Sequence, residues 1–178
     1  KILFYGLMIA EVCLVLGVSA GINKLSLSTA TLLFVLYSVI NGATLSVLLL
    51  VFTMASIAKV FFITAGTFGA MSLIGYTTKT DLTSMGKLLM MALVGLIIAS
   101  VVNMFLGSAG LDYIMSYVGV LIFVGLTAYD TQKIKNLFIG SGVSGEAGQK
   151  IALLGALTLY LDFINLFIYL LRIFGSRR

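Results

Sequence analysis

Six apolar runs, each about 20 residues long, occupy most of this 178-residue sequence. A helix of about 20 residues crosses the ~30 Å hydrocarbon core of a bilayer, where every backbone polar group must be paired within the spanning element. The connections between runs are short, so neighbouring helices should be antiparallel. The longest connection, residues 136–150, contains four glycines and is expected to form a mobile loop. The sequence therefore predicts an all-α membrane protein, a single helical-bundle domain over residues 1–178. The predicted helices cover residues 2–22, 29–52, 58–76, 85–106, 113–133 and 151–174.

The composition assigns most of the surface to the lipid bilayer. Hydrophobic residues make up 61% of the chain and charged residues 10%, against about 45–50% and about 25% in soluble domains. The net charge of +5 comes from Lys and Arg scattered at the ends of the runs, without a block of five like charges. We therefore expect no nucleic-acid partner. With no His and a single Cys, the sequence also predicts no tightly bound cofactor.

The distribution of Lys and Arg predicts the orientation in the membrane. Cytoplasmic loops are enriched in these residues, and the loops on the face opposite Lys1 carry more of them. Arg172, Arg177 and Arg178 on the other face argue against this orientation. The orientation places Lys1 outside the cytoplasm, which fits a chain that has lost one preceding helix. The Lys residues of the predicted cytoplasmic face are Lys24, Lys79, Lys87, Lys133, Lys135 and Lys150.

Asp162 lies near the middle of the last apolar run. An ionisable residue at that depth is costly and usually marks a functional site with a nearby partner. Thr158 and Asn165 lie one turn before and after it, so the three side chains form a polar stripe on one helix face. The stripe predicts a proton or cation site. A structural hydrogen bond between helices is the alternative.

Asp130, near the end of the fifth run, is the best candidate partner. Counting 1.5 Å per residue from each membrane face allows Asp130 and Asp162 to meet at one depth but does not require it. Two close carboxylates in a low dielectric cannot both ionise cheaply, so such a pair would share a proton. With Asn165 and water, the ionised pair could hold Ca²⁺ transiently, because Ca²⁺ prefers oxygen ligands.

The other acids divide into one candidate ion pair and three surface groups. Glu11 lies midway along the first run, and Arg172 near the end of the last could reach it. This ion pair either holds the two helices together or acts as a latch. Asp112 is expected to cap the fifth helix, and Asp81 and Glu146 are expected to be solvated.

These residues give little support for enzyme activity. A pair of membrane aspartates would suit an intramembrane aspartyl protease. Those enzymes carry Gly-x-Gly-Asp at the second acid, whereas this chain has Leu159-Tyr160-Leu161-Asp162. The sequence also lacks a phosphate-binding loop, a nucleophile elbow and metal-spaced Cys or His residues. We therefore expect no enzyme activity.

Four stretches resemble the transmembrane Bax-inhibitor-motif (lifeguard) family. The resemblance is carried by Gly125-Leu-Thr-Ala-Tyr-Asp-Thr-Gln-Lys-Ile-Lys135 and by the run from Leu154 to Phe167. The stretches 64–79 and 172–178 resemble bacterial members. The family implies a seven-helix bundle with the last helix at its centre, in a bacterial inner membrane. Six helices are visible here, so the resemblance implies truncation at the amino end.

The resemblance also implies a function. In the family, two helix acids, here Asp130 and Asp162, form a di-aspartyl pH sensor that controls a Ca²⁺ leak. Glu11 and Arg172 match a pair between the second and last family helices. The family's latch Arg has no counterpart here, and Lys24 is the nearest cation. Bacterial members are also tied to modulation of a membrane-bound protease, so a regulatory role through binding is the alternative.

Overall fold

Helices joined by short connections make up the computed structural model of the protein, which describes residues 21 and 24–178. Five spans in that part of the chain are long and apolar enough to cross a membrane. The short helix α2 continues the span that α1 begins. Apart from residue 21, the predicted helix over 2–22, which contains Glu11, lies outside the described residues. The helices are α1 Leu27–Leu45, α2 Leu48–Val51, α3 Met54–Thr77, α4 Thr83–Leu106, α5 Ala109–Ser141 and α6 Glu146–Phe174.

The longest predicted connection, residues 136–150, is much shorter in the structure. Helix α5 continues to Ser141 and α6 begins at Glu146, so the expectation of a long glycine-rich loop is wrong. Hydropathy shows where the chain becomes polar, but a helix can continue into water because it satisfies its own backbone hydrogen bonds. The helix ends therefore need not coincide with the ends of the apolar runs. The turn itself needs glycine, because Gly142 and Gly145 have φ values of 55° and 72°.

Helix α6 lies at the centre of the described bundle, as predicted. It packs against α5, α3 and α1, while α4 packs mainly against α5. Its Leu166 and Leu171 are completely buried and meet Val60 and Leu126 in one apolar core. The outward faces carry large exposed apolar side chains along every span, such as Leu32, Phe62 and Phe105. That arrangement suits a protein surrounded by lipid.

The close helix contacts depend on glycines. A Cβ atom on Gly75 in α3 would collide with the backbone of Ala128 in α5. A Cβ atom on Gly119 in α5 would lie 2.7 Å from the ring of Tyr169 in α6. Small residues let membrane helices approach this closely. These two contacts bring α3 and α6 close to α5.

The residues after α6 turn back and bind the junction between α2 and α3. Ser176 accepts a hydrogen bond from the Thr53 amide at 3.1 Å, and its own amide donates to Ser56 Oγ at 2.8 Å. The Arg178 amide donates to the Val51 carbonyl at 2.9 Å. Phe52 and Arg177 form an isolated antiparallel bridge in this contact. The carboxyl end of α6 is therefore tied to α3.

The α3–α5 contact predicts a clear difference between two glycine substitutions. Gly75→Ala places a methyl group against backbone atoms that cannot rotate away, so we expect a loss of about 1–3 kcal/mol in the free energy of unfolding. Gly69→Ala on the same helix meets nothing within 4 Å and should be neutral or stabilising by up to ~1 kcal/mol. Thermal unfolding in detergent micelles measures both. Equal effects would contradict the close contact.

Candidate functional site

Asp130 and Asp162 face each other between the antiparallel helices α5 and α6, and their carboxyl groups are within hydrogen-bonding reach. Asp162 is only 5% exposed, and Asp130 is half-buried. A hydrogen bond between two carboxyl groups requires a proton on one of them. Among the described residues, no conventional donor reaches Asp162 Oδ2, which is buried. The geometry therefore matches a pair that shares one proton.

The pair lines a cavity of about 320 Å³ between α4 and α6, with α5 behind it. Thr158 and Asn165 line the same cavity, so the structure brings together the whole polar stripe. Thr158 Oγ1 donates to the Leu154 carbonyl at 2.9 Å, and Asn165 Nδ2 donates to the Leu161 carbonyl at 2.8 Å. Both bonds stay within α6. These polar groups therefore contribute to a cavity wall.

The cavity can hold a hydrated cation but offers few fixed ligands. The carboxylates of Asp130 and Asp162 and the amide oxygen of Asn165 are hard oxygen donors of the kind that Ca²⁺ prefers. No cluster of three or more Asp, Glu, Cys or His side chains occurs in the part of the chain that the structure describes. A cation bound here would keep much of its water, so binding would be transient.

Arg172 lies at the opposite end of α6 from the α5–α6 turn. Its Nη1 donates to Asp112 Oδ1 at 3.3 Å, and its guanidinium lies 5.5 Å from the ring centroid of Tyr169. Glu11 lies outside the described residues, so its pairing with Arg172 stays a prediction. The ion pair with Asp112 joins α5 to α6 at this end.

The expectation that Asp112 caps α5 is wrong. The helix begins one turn earlier, and Ser108 is the capping residue, its Oγ accepting from the Leu111 amide at 3.3 Å. Asp112 therefore lies inside the first turn, where its side chain is free to meet Arg172. Because Ser108 caps the helix, Asp112 does not need to bind backbone N–H groups and can instead pair with Arg172 on α6.

Comparison with known proteins identifies the family. A sequence model described as inhibitor of apoptosis-promoting Bax1 matches residues 1–178. The chain belongs to this Bax inhibitor family. It is 54% identical to the inner membrane protein YbhL of Escherichia coli K12, over 100% of this chain and 76% of that protein. It is 50% identical to an uncharacterised protein of Borreliella burgdorferi, over 98% of this chain and 75% of the relative.

Membership confirms the resemblance read from the sequence. A third relative, an uncharacterised protein of Rickettsia prowazekii, is 49% identical over 97% of this chain and 72% of its own length. Together with the five spans, the relative YbhL identifies this Bax inhibitor family protein as a multi-pass protein of the bacterial inner membrane.

Gln132 is a residue at this site that the sequence reasoning missed. It is 7% exposed and lies two residues after Asp130. Its Oε1 accepts from the Leu82 amide at 2.9 Å, and its Nε2 donates to the Thr80 carbonyl at 2.8 Å. One side chain thus ties the connection before α4 to the Asp130 turn of α5. The signal available in the sequence was an amide side chain two residues after a membrane acid, within the same apolar run.

Tyr129 strengthens this contact between α4 and α5. Its ring lies directly over Gly86 in the first turn of α4, where a Cβ atom would collide with it. The ammonium group of Lys133 lies 5.9 Å from the centroid of the same ring. In this Bax inhibitor family chain, the Asp130 turn is therefore held from both the α4 side and the connection before it.

The two hydrogen bonds of Gln132 predict a local loosening when they are removed. In Gln132→Met, the Leu82 amide and Thr80 carbonyl lose their partner, at a cost of about 1–3 kcal/mol. We expect at least tenfold faster hydrogen exchange at Leu82, measured by mass spectrometry in micelles. Asn136→Met, one turn further along α5 on the exposed surface, serves as the control and should leave that exchange unchanged. Equal exchange rates at Leu82 in both variants would contradict a stabilising role for the Gln132 hydrogen bonds.

Proposed function

We propose that this protein allows a cation, primarily Ca²⁺, to leak across the inner membrane, and that the Asp130–Asp162 pair controls this leak. The observation that carries the proposal is the direct approach of two carboxyl groups in a cavity at membrane depth. Buried acids at such positions are characteristic of proton and ion pathways. The proposal needs no enzymatic step and no tightly bound cofactor.

The control step is loss of the shared proton. With one proton, the pair carries a single negative charge, and the hydrogen bond between the two groups helps to stabilise it. Without it, two unit charges about 4 Å apart repel by ~4 kcal/mol at an effective dielectric constant of about 20. Either the groups move apart or a cation enters between them. The pair titrates as a unit, so the response belongs to both residues.

The small number of ligands suits passage better than storage. A dedicated Ca²⁺ site takes 6–8 oxygen ligands, whereas Asp130, Asp162 and Asn165 supply only part of that number. The remaining positions would be filled by water, so the ion loses little hydration on entry and can leave again. This is the balance that a conducting site requires.

Asp81 does not account for a response near neutral pH. Hydrogen bonds from the Thr83 hydroxyl at 2.6 Å and amide at 2.9 Å lower the pKa of Asp81 below its usual value of 3.8. Glu146 is exposed beside Lys150 at 3.4 Å. The sequence contains no His. The proposal assigns a pH response of the flux in the neutral range to the buried pair.

The experiment is Ca²⁺ flux into proteoliposomes measured with an enclosed indicator between pH 5 and 8. We expect wild-type flux to rise with pH, because the ionised pair admits the cation. Asp162→Asn and Asp130→Asn should each lower the flux at least tenfold and remove its pH dependence. Asp81→Asn changes an acid outside the cavity and is the matched control, with flux and pH dependence as in the wild type.

Flux that does not change with pH and is unaffected by Asp162→Asn would contradict the proposal. The alternative role, modulation of a membrane-bound protease through binding, does not need the acid pair. Co-purification of such a protease with wild type and Asp162→Asn alike, in the absence of acid-dependent flux, would assign the protein to that role.

A further inference from the structure

A second cavity, of about 340 Å³, lies between the α1–α2 span and α6. Asn41 lies in its wall and is buried, with 6% exposure. Asn41 Nδ2 donates to Tyr37 Oη at 2.8 Å, whereas Asn41 Oδ1 is buried and has no partner among the described residues. An amide oxygen left without a donor in a membrane protein costs free energy. The cavity is therefore suited to a ligand that can donate a hydrogen bond to Asn41 Oδ1 or coordinate this oxygen.

Apolar side chains make up most of the lining of this cavity, but its size and its polar side chains favour water and a hydrated cation. Water takes about 30 Å³ per molecule in the liquid, so the space would hold on the order of ten. Polar groups from both walls line it, including Thr44 on α1 and Asn165 on α6. An unpartnered amide oxygen can accept from water and can also contact a hard cation directly. An apolar ligand would leave that oxygen unsatisfied.

The second cavity adjoins the cavity of the acid pair. Leu161 and Asn165 line both of them, so a single turn of α6 forms the shared wall. Arg172 lines the second cavity further along α6, and its charge is offset by Asp112 at 3.3 Å. A cation in this space therefore does not face an unpaired positive charge from that residue.

We infer that the cavity between α1 and α6 is a water-filled chamber through which the cation reaches the acid pair, with Asn165 as the polar step between the two spaces. The inference rests on the proposed leak and extends it, because it names the side of α6 along which the ion travels. Asn41 supplies an oxygen ligand in the chamber. Asn165 borders both cavities and supplies an oxygen ligand at the crossing.

Cysteine labelling tests the chamber directly. In a Cys13→Ser background, Asn41→Cys is treated with a charged, water-soluble methanethiosulfonate on both sides of the proteoliposome. Val39→Cys is the matched control, because it lies about 3 Å away along the helix axis and is 64% exposed on the outer surface of the bundle. A thiol in lipid does not ionise and does not react. Thr44→Cys repeats the test at a second position in the chamber.

We expect Asn41→Cys to be labelled at least tenfold faster than Val39→Cys, to be protected by millimolar Ca²⁺, and to lose most of its Ca²⁺ flux once labelled. Equal labelling rates would overturn the inference. So would fast labelling that leaves the flux of both Asn41→Cys and Thr44→Cys unchanged. In that case the pH dependence of the wild type and its loss in Asp162→Asn would still stand, so failure of the chamber is distinct from failure of the leak.

Discussion

The burial of Asp162 against Asp130 is the constraint on which the rest of the structure depends. A carboxylate removed from water costs several kcal/mol unless it is paired or protonated. Helix α6 can carry one at membrane depth because α1, α3 and α5 pack around it and because α5 brings a second carboxyl group to the same depth. The central position of the last helix and the pairing of its acid therefore serve the same purpose, because both allow a carboxyl group to be buried at membrane depth.

Polar contacts hold helix α5 on either side of Asp130, which leaves the acid pair between them as the place where charge can change. Near Asp130, Gln132 holds the connection before α4. At the other end, Asp112 and Arg172 join α5 to α6, and the chain after α6 binds the α2–α3 junction. In the proposed leak, these contacts would allow a proton gained or lost at the acid pair to alter the occupancy of the two cavities without unfolding the bundle.

Much of this arrangement could be predicted from the sequence, for reasons specific to membranes. Apolar runs located the five described spans because lipid allows only self-satisfied helices, and Asp162 stood out because charge is rare at that depth. Depth counting permitted the pairing with Asp130 without requiring it, since a shift of one turn moves a residue about 5.4 Å. The roles of Gln132 and Asp112 depend on which side chains meet across helices, which hydropathy does not report.

Proton release on addition of Ca²⁺ to the purified protein in weak buffer near neutral pH tests the central claim most directly. If cation entry replaces a shared proton, Ca²⁺ should release up to about one proton per wild-type chain, and Asp162→Asn should release none. Ca²⁺ binding without proton release, or equal release from Asp162→Asn, would contradict the account.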